Sequence, residues 1–142
     1  MKAGPIVLVD DDIDDKAIFE DAMKDLGVEN ELVWFDNTKD ALHYLMVTKD
    51  QPFVIISDVN MPVNSGIEFK RQIDRDPHLR DKAIPFIFYS TAVNKETVDE
   101  AYKELTVQGF FKKKNDYKEI VENIKMILDY WRTCKHPNSP LE

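Results

Sequence analysis

Short apolar runs alternate along this chain with stretches in which apolar residues recur at helical spacing. The runs are rich in β-branched and aromatic residues, which is typical of buried strands, and the first is apolar on both faces. The five runs are residues 5–9, 32–35, 53–57, 83–89 and 109–111. Helical patterns follow them at residues 18–26, 41–46, 66–75, 93–105 and 120–131. A glycine turn at Gly66 opens the third pattern, and Asp116 with Glu119 is expected to be a capping pair for the last. This alternation predicts right-handed βαβ units and a parallel sheet with helices on both faces.

Length and charge narrow the class of protein. The 142 residues fit one domain, expected at residues 1–134, followed by a flexible tail at 135–142 and no effector domain. A net charge of −8 argues against a nucleic acid or an anionic membrane as the main partner. The single cysteine, Cys134, fits a reducing compartment. Without a transmembrane-length apolar run or a signal-peptide pattern, we expect a cytoplasmic protein.

Polar residues follow four of the predicted strands, at the ends where open parallel sheets bind ligands. They are Asp10–Asp12, Asp58, Ser90 with Thr91, and Lys112–Lys114. Asp12 fits the N-cap of the first helix, but a cap does not explain why Asp10 and Asp11 should converge with Asp58. The joint pattern of acids, hydroxyl and lysine is more specific than any one part of it.

Such a group of acids needs positive charge. Two carboxylates about 4 Å apart repel each other by roughly 4 kcal/mol at an effective dielectric constant near 20. All-oxygen ligands with room for water suit Mg²⁺ better than Zn²⁺, and a lysine ammonium would supply the remaining balance. A carboxylate beside Mg²⁺, lysine and a hydroxyl donor suits the handling of a phosphoryl group.

Four motifs carry a family resemblance: VLVDDD at 7–12, SDVNMPVNSGIEF at 57–69, IPFIFYS at 84–90 and FFKK at 110–113. Over residues 5–132 the sequence resembles the receiver domain of bacterial two-component response regulators, and among them the stand-alone, single-domain type. The resemblance implies a flavodoxin-like (βα)5 sandwich, an α/β fold with a doubly wound, five-stranded parallel sheet of order 2-1-3-4-5.

The resemblance also assigns a phosphoacceptor and a metal site. By position in the motifs, Asp58 is the phosphoacceptor. Asp10 and Asp11 match the acid pair that binds Mg²⁺, with Asp11 as the expected direct ligand. The backbone carbonyl of Asn60 matches a further metal ligand, and Asp58 itself belongs to the metal site.

Two catalytic side chains and a switch are assigned in the same way. Ser90 matches the hydroxyl that contacts the phosphoryl oxygens, Lys113 the family's site lysine, and Phe110 the aromatic switch position, with Ser90 as its partner. Strand alternation supports this register, because Phe111 and Lys113 share a face that the lysines on either side of Lys113 do not.

The sequence departs from the family pattern at three positions. Thr91 follows Ser90 where the family more often has alanine, which leaves open which hydroxyl serves. Phe110 stands where tyrosine is frequent and lacks its phenolic hydroxyl. Lys114 replaces the usual proline, so the ring that favours a cis peptide is absent.

The implied function is phosphorelay signalling. A sensor histidine kinase or a histidine phosphotransfer protein would donate a phosphoryl group to Asp58, and the protein would then switch its binding to a downstream protein that the sequence does not identify. Beyond this self-catalysed transfer and autodephosphorylation, no enzymatic activity is expected. The chain's own histidines are interpreted as ordinary surface residues: His43 in the second helical pattern, His78 in a loop flanked by proline, and His136 in the tail.

Two other functions remain open. A Mg²⁺-dependent phosphohydrolase with an aspartyl-phosphate intermediate usually needs a second acid two residues after the nucleophile, where this chain has Asn60. A pseudo-receiver that serves only as a docking module is disfavoured by the joint presence of five site residues. They are Asp10, Asp11, Asp58, Ser90 and Lys113.

Overall fold

A five-stranded parallel sheet in the order β2-β1-β3-β4-β5 forms the centre of the protein. The computed structural model describes residues 4–91 and 93–137. The strands are β1 (Ile6–Val9), β2 (Leu32–Phe35), β3 (Val54–Ser57), β4 (Phe86–Ser90) and β5 (Gly109–Lys112). The helices are α1 (Ile13–Asp25), α2 (Thr38–Val47), α3 (Gly66–Arg75), α4 (Pro77–Lys82), α5 (Lys95–Glu104) and α6 (Tyr117–Thr133). The predicted flavodoxin-like fold and strand order are confirmed.

Helices cover both faces of the sheet, because consecutive residues of a strand point to opposite sides. On β1, Ile6 and Leu8 belong to the core formed with α1 and α6, whereas Val7 and Val9 belong to the core on the side of α2, α3 and α5. Both cores are almost completely closed to solvent along β1 and β3. Burying each large aliphatic side chain contributes roughly 1.5–3 kcal/mol. The strands β1 and β3 are therefore firmly packed, and they fix the positions of the residues that directly follow them.

A sixth helix, α4, occupies the segment that was expected to be a loop. Asp76 caps it by accepting a hydrogen bond from the backbone N–H of Leu79 at 3.0 Å, and Pro77 stands at its first position, where the missing N–H costs nothing. Leu79 is buried and anchors the helix to the core, whereas His78 is exposed, as predicted. The loop assignment was therefore wrong, because a cap and one buried leucine suffice for a short helix.

The last helix begins where the sequence indicates but without the expected capping pair. Asp116 is the N-cap residue of α6, yet its side chain makes no capping hydrogen bond. The first residue of the helix, Tyr117, instead donates its hydroxyl to the carboxylate of Asp25 at the end of α1. None of the described helices is long and apolar enough to span a membrane.

His136 is buried, and its assignment to the surface was wrong. Its side chain is 4% exposed, and its ring stacks on Phe53 with the ring centroids 4.8 Å apart and the planes at 6°. Phe53 precedes β3, at the end of the sheet opposite to the polar strand ends. Residues 138–142 of the expected tail lie outside the described residues.

Candidate functional site

The two central strands place two aspartates side by side. Val9 of β1 pairs with Ser57 of β3, so the next residue of each strand, Asp10 and Asp58, lies at the same edge. Both backbones are held beyond the strands: the N–H of Asp58 donates to the carbonyl of Val9 at 2.9 Å, and the N–H of Asp10 to that of Phe35 at 3.0 Å. The positions of the two acids are therefore set by the sheet itself.

Asp11 completes a cluster of three carboxylates. Each of Asp10, Asp11 and Asp58 offers an oxygen atom within 4.8 Å of the others, and Asp10 and Asp58 are only 1% and 7% exposed. Asp12 is turned away, because its Oδ1 caps α1 by accepting from the N–H of Asp14 at 2.8 Å. Three oxygen donors, two of them buried, fit a divalent cation that prefers oxygen ligands.

Both oxygens of Asp58 accept hydrogen bonds. Oδ1 accepts from the hydroxyl of Ser90 at 2.6 Å and from the backbone N–H of Asn60 at 3.1 Å. Oδ2 accepts from the ammonium of Lys113 at 2.8 Å. Ser90 is fully buried and Thr91 is exposed, so of the two candidate hydroxyls it is Ser90 that contacts the acid.

Lys113 is shared among three acids. Its ammonium donates to Asp10 and Asp58 at 2.8 Å each and to Asp15 at 2.6 Å. Burial alone would lower the pKa of Lys113, but the three carboxylates outweigh it and hold the pKa above its ordinary value. The backbone N–H of Lys113 donates to the carbonyl of Ser90 at 3.0 Å, which continues the pairing of β4 with β5. The lysine is thus a fixed positive charge.

This lysine does not neutralise the site. Burial raises the pKa of Asp10 to about 6, although the ammonium of Lys113 and the backbone N–H of Asp12 both favour its ionised form. The ammonium contacts Asp10, Asp15 and Asp58, and Asp11 belongs to the same cluster of acids, so negative charge is in excess. A divalent cation would remove that excess at neutral pH, which is the second feature that fits a metal.

Asp15 was not predicted as part of the site. It lies on the first turn of α1, whereas Asp11 precedes the helix, so the helical spacing of four residues does not join the two acids. No pattern in the sequence distinguishes Asp15 from an ordinary acid of the first helical turn.

Gly66 also shapes the site and was expected only as part of a turn. A Cβ atom at this position would lie 2.1 Å from the backbone carbonyl oxygen of Asp58, closer than any real contact. Its N–H donates to the carbonyl of Val59 at 2.8 Å. Only glycine allows the start of α3 to pack this closely against the backbone of Asp58.

Trp34 braces the backbone next to the acids. Its indole N–H donates to the backbone carbonyl of Asp10 at 2.8 Å, and the ammonium of Lys16 lies 5.0 Å from the centre of its ring. The loop from β1 to α1 is thereby attached to β2.

Phe110, the predicted switch residue, lies on β5 and is partly buried. Its ring centroid is 5.5 Å from that of Phe88, in the core on the side of α2, α3 and α5. Lys113 is less exposed than Lys112 or Lys114, as strand alternation predicts. No described peptide bond is cis, including that between Lys113 and Lys114.

Comparison with known proteins identifies the family. The model of the response regulator receiver domain matches residues 6–125. The chain belongs to this family. The response regulator Rcp1 of Synechocystis is 26% identical to it over 131 residues, which are 89% of this chain and 87% of Rcp1.

Two solved structures have the same fold. That of the phosphorylated cyanobacterial phytochrome response regulator RcpA has a TM-score of 0.86 and 25% identity, covering 96% of this chain and all of RcpA. That of the Mn²⁺-bound form of Rcp1 has a TM-score of 0.81 and 25% identity, covering 94% of this chain and 99% of Rcp1.

Membership defines the general role. The protein is a signalling protein of the phosphorelay type, homologous to response regulators of phytochromes. Receiver domains of this family receive a phosphoryl group from histidine kinases.

Proposed function

We propose that Asp58 is the phosphoacceptor of a phosphorelay receiver. The observation that supports this most directly is the set of donors on its carboxylate: the hydroxyl of Ser90, the backbone N–H of Asn60 and the ammonium of Lys113. Asp58 is held at the end of a buried strand, and these donors stand where they can contact phosphoryl oxygens as charge develops.

The cation is Mg²⁺ in this proposal. The carboxylates of Asp10, Asp11 and Asp58 and the backbone carbonyl of Asn60 would hold it, and the Mn²⁺-bound form of Rcp1 supports a divalent cation here. Bound Mg²⁺ would supply positive charge to the oxygens of the transferring phosphoryl group.

The reaction is a phosphoryl transfer between two side chains. A carboxylate oxygen of Asp58 attacks the phosphorus of a phosphohistidine, the N–P bond breaks and the imidazole leaves. Lys113 and Ser90 contact the phosphoryl oxygens during transfer and hold them afterwards. Attack by water on the phosphorus later returns Asp58 and inorganic phosphate, so the signal ends by itself. In this sense the protein catalyses only its own modification.

Ser90 and Phe110 form the switch. A phosphoryl group on Asp58 draws Ser90 towards it, and the ring of Phe110 moves into the space that is vacated. Because Phe110 has no hydroxyl, its two positions differ in packing alone. The result is a population shift that alters the surface of β5 and the helices beside it.

The partners follow from this chemistry. The donor is a sensor histidine kinase or a histidine phosphotransfer protein, and the phosphorylated surface binds a downstream protein. The receiver domain occupies residues 1–134. Residues 135–142 form a tail, of which His136 is buried against the domain. We place the protein in the cytoplasm, which the single cysteine supports.

Incubation with acetyl phosphate and Mg²⁺ tests the function. Intact mass should show one added phosphoryl group, labile to base, in the wild type and none in Asp58→Asn. Asp36→Asn is the matched control, because Asp36 is an exposed acid that directly follows a strand but contacts none of the site residues.

Three results would contradict the proposal. Phosphorylation of Asp58→Asn at the wild-type level would exclude Asp58 as the acceptor. Absence of phosphorylation of the wild type with any donor would favour a docking module. Steady turnover of a small phosphate ester would favour a phosphohydrolase.

A further inference from the structure

Asp15 makes the shortest of the three hydrogen bonds to Lys113 and has no role in the proposed transfer. The distances are 2.6 Å to Asp15 and 2.8 Å to each of Asp10 and Asp58. An ammonium has three N–H bonds, so all three are engaged by carboxylates. Among the described residues, Lys113 is the only lysine that contacts Asp58. Only one of its three N–H bonds is therefore available to Asp58.

The environments of the three acids differ. Asp10 and Asp58 are buried, whereas the side chain of Asp15 is 31% exposed on the first turn of α1. Solvent screens Asp15 more than the other two acids, but the contact is direct and its partner Lys113 is only 11% exposed. Asp15 thus attracts the ammonium of Lys113 from the solvent-exposed side, although Asp15 itself is not part of the buried site.

We propose that Asp15 competes with Asp58, and with a phosphoryl group on Asp58, for Lys113 and so restrains phosphorylation. The inference rests on the proposed function of Asp58. Asp15 acts as a positioning residue: it draws part of the lysine's charge away from the phosphoryl oxygens. It also adds negative charge close to the three acids of the cluster, which favours a divalent cation.

Asp14 is the matched control for this inference. It stands on the same first turn, carries the same charge and is exposed, but its carboxylate makes no hydrogen bond or ion pair with any described residue. Substituting Asp14 or Asp15 by asparagine changes the net charge and the helix-dipole interaction equally. The difference between the two variants therefore isolates the contact with Lys113.

The first measurement is the rate of phosphorylation by acetyl phosphate at saturating Mg²⁺. We expect Asp15→Asn to be phosphorylated roughly three- to tenfold faster than the wild type, and Asp14→Asn within about twofold of it. Titration calorimetry with Mg²⁺ should show weaker binding by Asp15→Asn, by a similar factor. Equal rates for the two variants, or a slower Asp15→Asn, would overturn the competition.

A double-mutant cycle tests whether the effect passes through the lysine. In a Lys113→Ala background, Asp15→Asn should change the rate no more than Asp14→Asn does, because the shared partner is gone. An undiminished acceleration by Asp15→Asn in that background would show that Asp15 acts on the donor directly, and would overturn the proposal.

A third measurement does not depend on phosphorylation. In protein labelled with ¹⁵N-lysine, the side-chain ammonium signal of Lys113, assigned by its loss in Lys113→Ala, should exchange with water several-fold faster in Asp15→Asn than in Asp14→Asn. If the wild type is not phosphorylated, the proposed function fails and this signal alone decides whether Asp15 holds the lysine. If phosphorylation is normal and the signal is the same in both variants, the inference alone fails.

Discussion

The indole N–H of Trp34 donates to the backbone carbonyl of Asp10, so a tryptophan on an edge strand is attached to the loop that carries two of the acids. The bond is 2.8 Å long, and the ring faces the ammonium of Lys16 on the other side of that loop. The electric field at the indole therefore depends on the charge of the acid cluster.

We expect the fluorescence of Trp34 to report cation binding. Adding Mg²⁺ should change the emission of the wild type and of Trp131→Phe with the same midpoint, whereas Trp34→Phe should give no response. Trp131, the second tryptophan, lies on α6 against His136, at the end of the sheet opposite to the acids. A response that is lost in Trp131→Phe and kept in Trp34→Phe would contradict the geometry described above.

Substitutions of Asp11 and Asp12 should have separate effects, one on Mg²⁺ binding and the other on stability. Asp11→Ala should weaken Mg²⁺ binding at least tenfold in calorimetry with little effect on unfolding, because Asp11 is exposed and belongs to the cluster. Asp12→Ala should leave Mg²⁺ binding intact but lower the free energy of unfolding by about 0.5–2 kcal/mol through loss of the α1 cap. Equal Mg²⁺ binding by Asp11→Ala and wild type would remove Asp11 from the metal site.

The fold could be read from the sequence because each strand end is marked by local chemistry. The β-branched run at Ile6–Val9 stops at an acid, and Gly27, with a φ of +67°, follows α1 where the helix must end. Such signals lie within a few residues of the boundary they define. The meeting of Asp10 with Asp58 could be predicted as well, because parallel strands bring their carboxyl ends to one edge.

Contacts between distant elements could not be read in this way. Whether Asp15 reaches Lys113 depends on how α1 tilts across the sheet, and its place on the first turn of α1 does not determine this. The burial of His136 depends on the path of the chain after α6, which brings its ring onto that of the buried Phe53. Neither residue has a local pattern that distinguishes it from a surface residue.

Gly66→Ala should disturb the site more than the rest of the fold. The added Cβ would lie 2.1 Å from the carbonyl oxygen of Asp58, and a backbone atom cannot rotate away as a side chain can. We expect a loss of roughly 2–4 kcal/mol in the free energy of unfolding and a clear loss of phosphorylation by acetyl phosphate.

Gly109→Ala provides the comparison for Gly66→Ala. At that position the nearest contact of an added Cβ would be 3.3 Å, to a side chain rather than the backbone, that of the partly exposed Phe111. The free energy of unfolding measured with denaturant should therefore be clearly lower for Gly66→Ala than for Gly109→Ala. The reverse order would mean that α3 does not pack against Asp58 as described.

Asp74 should make the protein more sensitive to acid. Burial opposes its ionisation, but hydrogen bonds from Lys70 and Thr106 outweigh burial and hold the pKa of Asp74 below its ordinary value. A carboxyl group with a lowered folded-state pKa stabilises the fold fully above its unfolded pKa of about 3.9, and this contribution is lost as the pH falls through the folded value.

Asp74→Asn should therefore lower stability at pH 7 and flatten the loss of stability below pH 4, as measured by urea unfolding across that range. Asp81→Asn, at an exposed position on α4, should follow the wild-type curve. If the stability of Asp74→Asn falls below pH 4 as steeply as that of the wild type, the bonds of Asp74 to Lys70 and Thr106 do not contribute to stability in solution.

Lys113 tests the strand register and the charge of the site together. Its removal leaves Asp10 and Asp58 buried without their shared cation, and an uncompensated buried charge is costly. We expect Lys113→Ala to fold but to lose about 1–3 kcal/mol of stability at pH 7, part of which Mg²⁺ should restore by replacing the missing positive charge. Lys112→Ala and Lys114→Ala remove exposed lysines on either side and should change stability by less than about 0.5 kcal/mol.

The same pattern should appear in signalling. Only Lys113→Ala should uncouple phosphorylation from the change in shape, which is measured by comparing amide chemical shifts with and without acetyl phosphate. If Lys112→Ala or Lys114→Ala has this effect and Lys113→Ala does not, the assignment of Lys113 to the site is wrong, because Lys113 and its two neighbours point to opposite faces of the sheet.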